Sequence, residues 1–233
     1  MIVSDRMPPG RLCRMAGGAP TGFWAAVGAD AAAELRARAA PRNFARGQAL
    51  MHVGQVPREV FFLLAGRVKV TATTPAGRTV LLAFRGPGDL IGDLAALDDE
   101  PRSATVEALE PVQALAMGRD PFRAFLMERP AVALTLLREL SARLRDADAK
   151  RVQLAAYTTV GRVAFCLLEL SERFGSDGEI LLPLSQEELA SWAGASIESV
   201  GRALQTMRKL GWIETRRRAI RVLDPAALEG ATA

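Results

Sequence analysis

Pro130 opens a proline-free stretch that reads as one helix to about Tyr157. Within it Leu137, Leu140, Leu144, Ala147, Arg151 and Leu154 are spaced 3, 4, 3, 4, 3, the alternation of a coiled-coil seam. Taken alone, the pattern suits a helix lying on a neighbouring domain equally well. Length favours the seam, because about eight turns at about 3.6 residues each exceed what one small barrel can cover. The surplus apolar face needs a second helix, most simply its own copy in a homodimer. Arg151 interrupts the stripe, so pairing is expected to be weakest or polar there.

Before this helix the texture is different. Val60 to Leu64, Val68 to Thr73, Thr79 to Phe84, Thr105 to Leu109 and Val112 to Ala116 are short β-type runs. Gly66, Pro75, Gly77, Gly86, Pro87, Gly88 and Pro111 separate them. Short strands so punctuated predict an antiparallel barrel or jelly roll. An Ala-rich segment from Phe23 to Arg38 predicts a short helix ahead of it, and residues 1–21 read as a disordered leader, or as sequence before the true start. Beyond Tyr157–Thr159, the expected hinge, Val160, Val163, Ala164, Leu167, Leu168 and Ser171 share a helical face that Gly175 ends.

Ser185-Gln186-Glu187-Glu188 is a capping box, in which the Ser hydroxyl and the Glu188 carboxylate each satisfy the other residue's amide. It starts a helix to Ala193 that buries Leu189 and Trp192. Gly194 then permits a tight turn, and Ser196 caps a second helix from Ile197 to Leu210 with Val200, Leu204 and Met207 inward. This is a helix-turn-helix pattern. A hairpin with Thr215-Arg216-Arg217-Arg218 at its tip follows as a wing.

The chain carries 30 Lys and Arg against 26 Asp and Glu, a net +4. From Ser199 to Val222 there are seven basic residues against Glu214 alone, a net +6, so the basic surplus is concentrated where phosphates would be met. At the start of the second helix, Glu198 can accept from cytosine N4 and Arg202 can bridge guanine O6 and N7, with Ser196 and Ser199 beside them. The competing reading is a solvated face in a protein-binding winged helix. Two cysteines and one histidine, His52, leave no disulfide framework, cysteine-ligated cluster, histidine metal site or triad. With no membrane span or signal peptide visible, a cytoplasmic binding protein rather than an enzyme is expected.

Gly88 to Leu97 passes from a turn into a helical start, and Pro101-Arg102-Ser103-Ala104-Thr105 follows. Backbone amides after Gly92 can face an anion, while Arg102 and Ser103 can close on the same phosphate. Asp93 suits a ribose hydroxyl. Gly-Asp turns and Arg-Ser pairs are common, so these residues by themselves do not specify a ligand.

Together, the glycine-punctuated roll (Gly47, Gly54, Gly66, Gly77, Gly88), the Gly92–Ser103 cassette, the long helix and the helix-turn-helix resemble, over about residues 22–225, the cyclic AMP receptor protein and fumarate-nitrate regulator superfamily of bacterial transcription factors. The resemblance implies an α+β fold: a cyclic-nucleotide-binding roll over 22–130, a dimerisation helix over 131–157, and a winged helix-turn-helix over 158–233. It implies a homodimer that binds double-stranded DNA, with RNA polymerase as a further partner and cyclic AMP as the ligand.

Carried over by position, Gly92, Asp93, Leu94 and Ala95 match the ribose-phosphate segment, Arg102 and Ser103 the phosphate clamp, and Arg143 and Asp148 ligand-facing positions of the long helix. Ser185, Gln186, Ser196, Glu198, Ser199, Arg202 and Arg217 match the DNA-facing set. The chain also departs from the pattern. Asp93 stands where the cyclic AMP receptors carry Glu, the cassette is one residue shorter than in the enteric receptor, Ala147 lacks an adenine-bonding hydroxyl, and Ile197 replaces a guanine-reading Arg. A regulator independent of nucleotide, or one sensing another ligand such as a cyclic dinucleotide, stays open beside cyclic AMP. So does a cyclic-nucleotide-binding subunit acting on a protein partner. Cys13 alone near the amino terminus excludes the iron–sulfur branch, and His52 makes a poor haem ligand.

Overall fold

A computed structural model describes residues 22–176, 179–181, 185–216 and 219–232. The expected leader, Cys13 and Arg217 lie outside the described residues. The chain divides into two compact units between Arg145 and Asp146.

The first unit begins with α1 (Phe23–Ala26) and α2 (Ala29–Arg38), where the sequence predicts a single helix. Gly28, at φ 82°, sits in the left-handed region and caps α2, which divides the Ala-rich segment in two. The strands β1 (Ala40–Phe44), β2 (Ala49–Met51), β3 (Glu59–Ala65), β4 (Val68–Thr73), β5 (Thr79–Arg85) and β6 (Leu90–Ile91) lead to α3 (Asp93–Asp98). Then come β7 (Thr105–Ala108), β8 (Val112–Gly118) and α4 (Arg119–Glu128). Two four-stranded antiparallel sheets result, in the orders β1-β8-β3-β6 and β2-β7-β4-β5.

The uninterrupted apolar run of β3 has a simple cause, burial on both faces. Val60 and Phe62 join Phe23, Trp24, Leu35, Phe122, Phe125 and Leu136 in a core between sheet and helices. Phe61 and Leu63 point the other way, to Leu50, Val68, Ile91 and Val106 of the core within the roll. β1 and β2 carry no strand signal of that kind. β1 holds Pro41 and lies at a sheet edge, where a missing backbone donor is tolerated.

The helix α5 (Pro130–Ala156) carries the predicted seam, with Val132 and Leu136 buried. Leu137 and Leu144, by contrast, are 59% and 62% exposed, and Leu154 is 49% exposed.

In the second unit Thr158 Oγ1 accepts the Gly161 amide at 3.2 Å and so caps α6 (Thr159–Phe174), placing the helix break at Tyr157–Thr158. The unit continues with β9 (Gly175–Ser176), β10 (Glu179–Leu181), α7 (Gln186–Ala193), α8 (Ile197–Lys209), β11 (Ile213–Arg216), β12 (Ala219–Val222) and α9 (Pro225–Gly230). The wing hairpin β11–β12 is thus half of a sheet ordered β11-β12-β10-β9. Val163, Leu167, Leu189, Val200, Met207, Ile220 and Leu228 are buried in this unit, as is Cys166, whose thiol burial pushes well above its ordinary pKa. Among the described residues no helix is long and apolar enough to cross a membrane.

Candidate functional site

In the first unit the cassette residues converge on one turn. Gly92 leaves β6 at φ 81° and ψ 13°, and a Cβ there would come within 2.5 Å of Arg102 Nη1. The position therefore demands glycine for both backbone conformation and space. Arg102 is only 6% exposed; its Nη1 donates to the Gly92 carbonyl at 2.7 Å, and its Nη2 donates to the Glu59 carbonyl. Burial pulls the guanidinium below its ordinary pKa, and the carboxylates of Asp93 and Glu59 offset part of that. Its own backbone is pinned as well, with the Arg102 amide donating to the Gln55 carbonyl at 2.9 Å.

Asp93, 3% exposed, accepts from Arg143 Nη1 at 2.9 Å, and Arg143 Nη2 donates to the Leu90 carbonyl at 3.0 Å. The Nε of Arg143 is buried without a hydrogen bond, 3.5 Å from Glu139 Oε1. Gly92, Asp93, Arg102 and Arg143 are thus held together. Ala95 is buried, whereas Leu94 and Ser103 are exposed. Asp148 belongs to the second unit, where it is exposed and pairs with Arg151 at 3.2 Å. Glu59 was not among the expected residues. It acts through its main-chain oxygen, so its side-chain identity carries no signal. His52 is exposed just past β2, with its amide bonded to Gln55 Oε1 at 2.9 Å.

Two properties of this turn suit a nucleotide. Arg102 keeps N–H groups beyond the two already engaged, since a guanidinium has five. Arg143 brings a second guanidinium beside it, paired with Asp93 at 2.9 Å and with Glu139 at 3.5 Å. Donors of positive charge around a glycine turn, next to one carboxylate, fit a phosphate joined to a sugar hydroxyl.

In the second unit the capping box forms as expected. Ser185 Oγ accepts the Glu188 amide at 3.1 Å while Glu188 Oε2 accepts the Ser185 amide at 2.8 Å. Leu189 and Trp192 are buried, and Gly194 ends α7 at φ 59°. Ser196 then caps α8, its Oγ accepting the Ser199 amide at 3.2 Å. Arg202 Nη2 donates to Ser199 Oγ at 2.9 Å. Ile197, Glu198, Gly201, Arg202 and Gln205 form the outward face of α8, opposite the buried Val200, Ala203, Leu204 and Met207. Bonds from its own backbone amide and from Ser196, with Arg202 nearby, hold the Glu198 carboxyl below its ordinary value. Gln186 and Ser185 are exposed at the start of α7. On the wing Arg216 pairs with Glu214 at 3.2 Å and Arg221 is exposed.

Comparison with known proteins matches both units. Residues 41–129 fit the cyclic nucleotide-binding domain, and residues 161–231 fit the Crp-like helix-turn-helix domain. The chain is 33% identical over 214 residues to a CRP-like cAMP-activated global transcriptional regulator of Mycobacterium tuberculosis, covering 90% of this chain and 96% of the relative. It is 31% identical over 188 residues to the cyclic AMP receptor protein of Thermus thermophilus, covering 81% and 86%. A solved CRP-family transcriptional regulator from Thermus thermophilus superposes with a TM-score of 0.70 at 27% identity, over 82% of this chain and 96% of that one. With both domains matched in order and such identity over nine-tenths of its length, the chain belongs to the CRP/FNR family of transcription regulators, carrying a cyclic nucleotide-binding domain ahead of a DNA-binding helix-turn-helix.

Proposed function

We propose that the protein is a homodimeric regulator whose roll, residues 22–130, takes cyclic AMP, and whose winged reader, residues 158–233, contacts operator DNA. The observation that carries this reading is the linkage of Arg102, Gly92, Asp93 and Arg143 in one buried turn. A bound cyclic nucleotide supplies an anionic phosphate and a ribose hydroxyl. Arg102 and Ser103 face the anion, and Asp93 accepts from the hydroxyl. Because Arg143 lies on α5, a change at Asp93 alters what holds that helix. Asp148 is the proposed acceptor for an exocyclic amine.

The dimer is proposed along α5, residues 131–157. Leu137, Leu144 and Leu154 form a column of exposed leucine that a second copy would cover. A ligand that binds one dimer state better shifts the population toward it, with Tyr157–Thr158 as the hinge. Two α8 helices then meet successive major-groove sites about 34 Å apart. RNA polymerase as a partner and a cytoplasmic setting belong to the same proposal.

A second reading has its own observation. Arg102 already donates to two carbonyls and Asp93 already has Arg143, so the turn holds its charged groups in place without a ligand. That favours a regulator acting without nucleotide. Calorimetric titration of the full chain with cyclic AMP, with cyclic GMP and cyclic di-GMP as controls, separates the two. Saturable heat with cyclic AMP at one site per subunit is expected. No heat and no thermal stabilisation would move the reading to the second form. A steep loss of DNA affinity with salt is expected in either case and would not be seen in a subunit that acts only on a protein.

A further inference from the structure

Two residues of α8 are not accounted for by its packing. Gly201 stands mid-helix and exposed, and a Cβ built on it meets nothing within 4 Å. Glycine is the poorest helix former after proline, and no neighbour in the described chain excludes a methyl at this position. Ile197 is a large aliphatic side chain, 43% exposed, standing outside the buried stripe of Val200, Ala203, Leu204 and Met207. Its flanking neighbours Ser196 and Glu198 are polar and exposed.

The two positions are four apart, so they lie one above the other on the same side of the helix. Helical side chains lean toward the amino terminus, so a side chain at 201 would cover the turn that carries Ile197. With glycine there, that flank stays bare. The result is a shallow apolar notch at the amino-terminal end of α8, beside the row that Glu198 and Arg202 form, themselves four residues apart.

We propose that Ile197 and Gly201 form a reader for the C5-methyl group of a thymine in double-stranded DNA. The proposal rests on α8 being the base-reading helix. The net +6 between Ser199 and Val222 matches a polyanion, and the thymine methyl is the apolar group that bases present in the major groove. Glu198 and Arg202, in the adjoining row, take polar base edges, and the notch takes the methyl.

The test uses the full-length protein, with and without cyclic AMP. Duplexes are selected from a randomised pool, and each thymine of the selected site is then replaced by deoxyuridine, which lacks only the methyl. One position in each half-site is expected to lose about fourfold in affinity, the worth of one buried methyl at about 0.8 kcal/mol. Ile197→Ala is expected to bind thymine and uracil equally there. Gly201→Ala is expected to melt no lower than the wild type yet bind the selected site more weakly. Tolerance of uracil everywhere overturns the notch, as does discrimination that survives Ile197→Ala or undiminished binding by Gly201→Ala. If no sequence is selected from the pool, the base-reading role of α8 fails and the notch fails with it. A selected site without a uracil penalty removes only the notch.

Discussion

At the cassette, Arg102 and, from α5, Arg143 are drawn inward and give their hydrogen bonds to Gly92, Glu59, Leu90 and Asp93. In α8, Arg202 lies on the surface and is held by one bond to Ser199 Oγ. The same side chain therefore does two kinds of work. Buried, it costs desolvation and must be matched by fixed acceptors, which makes the turn sensitive to any new anion or hydroxyl competing for them. Exposed, it keeps its donors for an outside acceptor and is only pre-aimed by its neighbour. A ligand at the first site must rearrange bonds that already exist, while DNA at the second mainly adds them.

The largest expected effect follows from the buried side. Arg143→Ala leaves the Asp93 carboxylate, 4% exposed at its side chain, without its ion-pair partner, with Arg102 alone still opposing its charge. Breaking such a pair costs about 3–5 kcal/mol, read by denaturant unfolding of the full chain. Adding Asp93→Asn removes the stranded charge and should restore most of the loss. A cost below about 1 kcal/mol would mean the pair behaves like a surface one, and the contrast between the two regions would collapse.

These regions also differ in how far they can be read from residue order. The capping box at Ser185 and the cap at Ser196 are local. Their partners lie three residues away, so spacing alone announces them and the structure reproduces both. β3 is legible for a related reason, because a strand buried on both faces must be apolar throughout. In the cassette Asp93 and Arg143 are 50 residues apart, and Arg102 reaches Glu59 43 residues away through a main-chain oxygen. Resemblance to a known family nominates the side chains, but the pairing is set by tertiary packing. No side-chain pattern can nominate a carbonyl. The division at Gly28 and the strand through Pro41 escape for a similar reason, since the first depends on one backbone angle and the second on an edge position.

An intermediate effect is expected at the exposed arginine. Arg202→Ala should leave unfolding stability within about 0.5 kcal/mol of the wild type. It should weaken binding to a selected operator by about 1–3 kcal/mol, while binding to random DNA falls far less. Equal losses on both duplexes in parallel anisotropy titrations would make Arg202 a phosphate contact instead of a base reader.

The smallest effect concerns Glu198, on the exposed side, and it sharpens the contrast through pH. Its carboxyl is held below the ordinary value of 4.5 by its own backbone amide, Ser196 and Arg202. A folded-state value lower than the unfolded one means that the unfolded chain binds the proton more readily. The stabilisation is therefore fully present above about pH 4.5 and is lost as pH falls through the depressed folded value. Thermal melts of the wild type and Glu198→Gln should accordingly show the wild type ahead at neutral pH and the difference closing below pH 4.5. Because Glu198 is fully exposed, added salt should narrow the gap at neutral pH as well. The loss from Arg143→Ala should barely respond to salt, since Asp93 and Arg143 are shielded from it by the roll. If both variants answered to salt alike, exposure would not be what separates the two sites, and the cassette would have to be regarded as open to solvent.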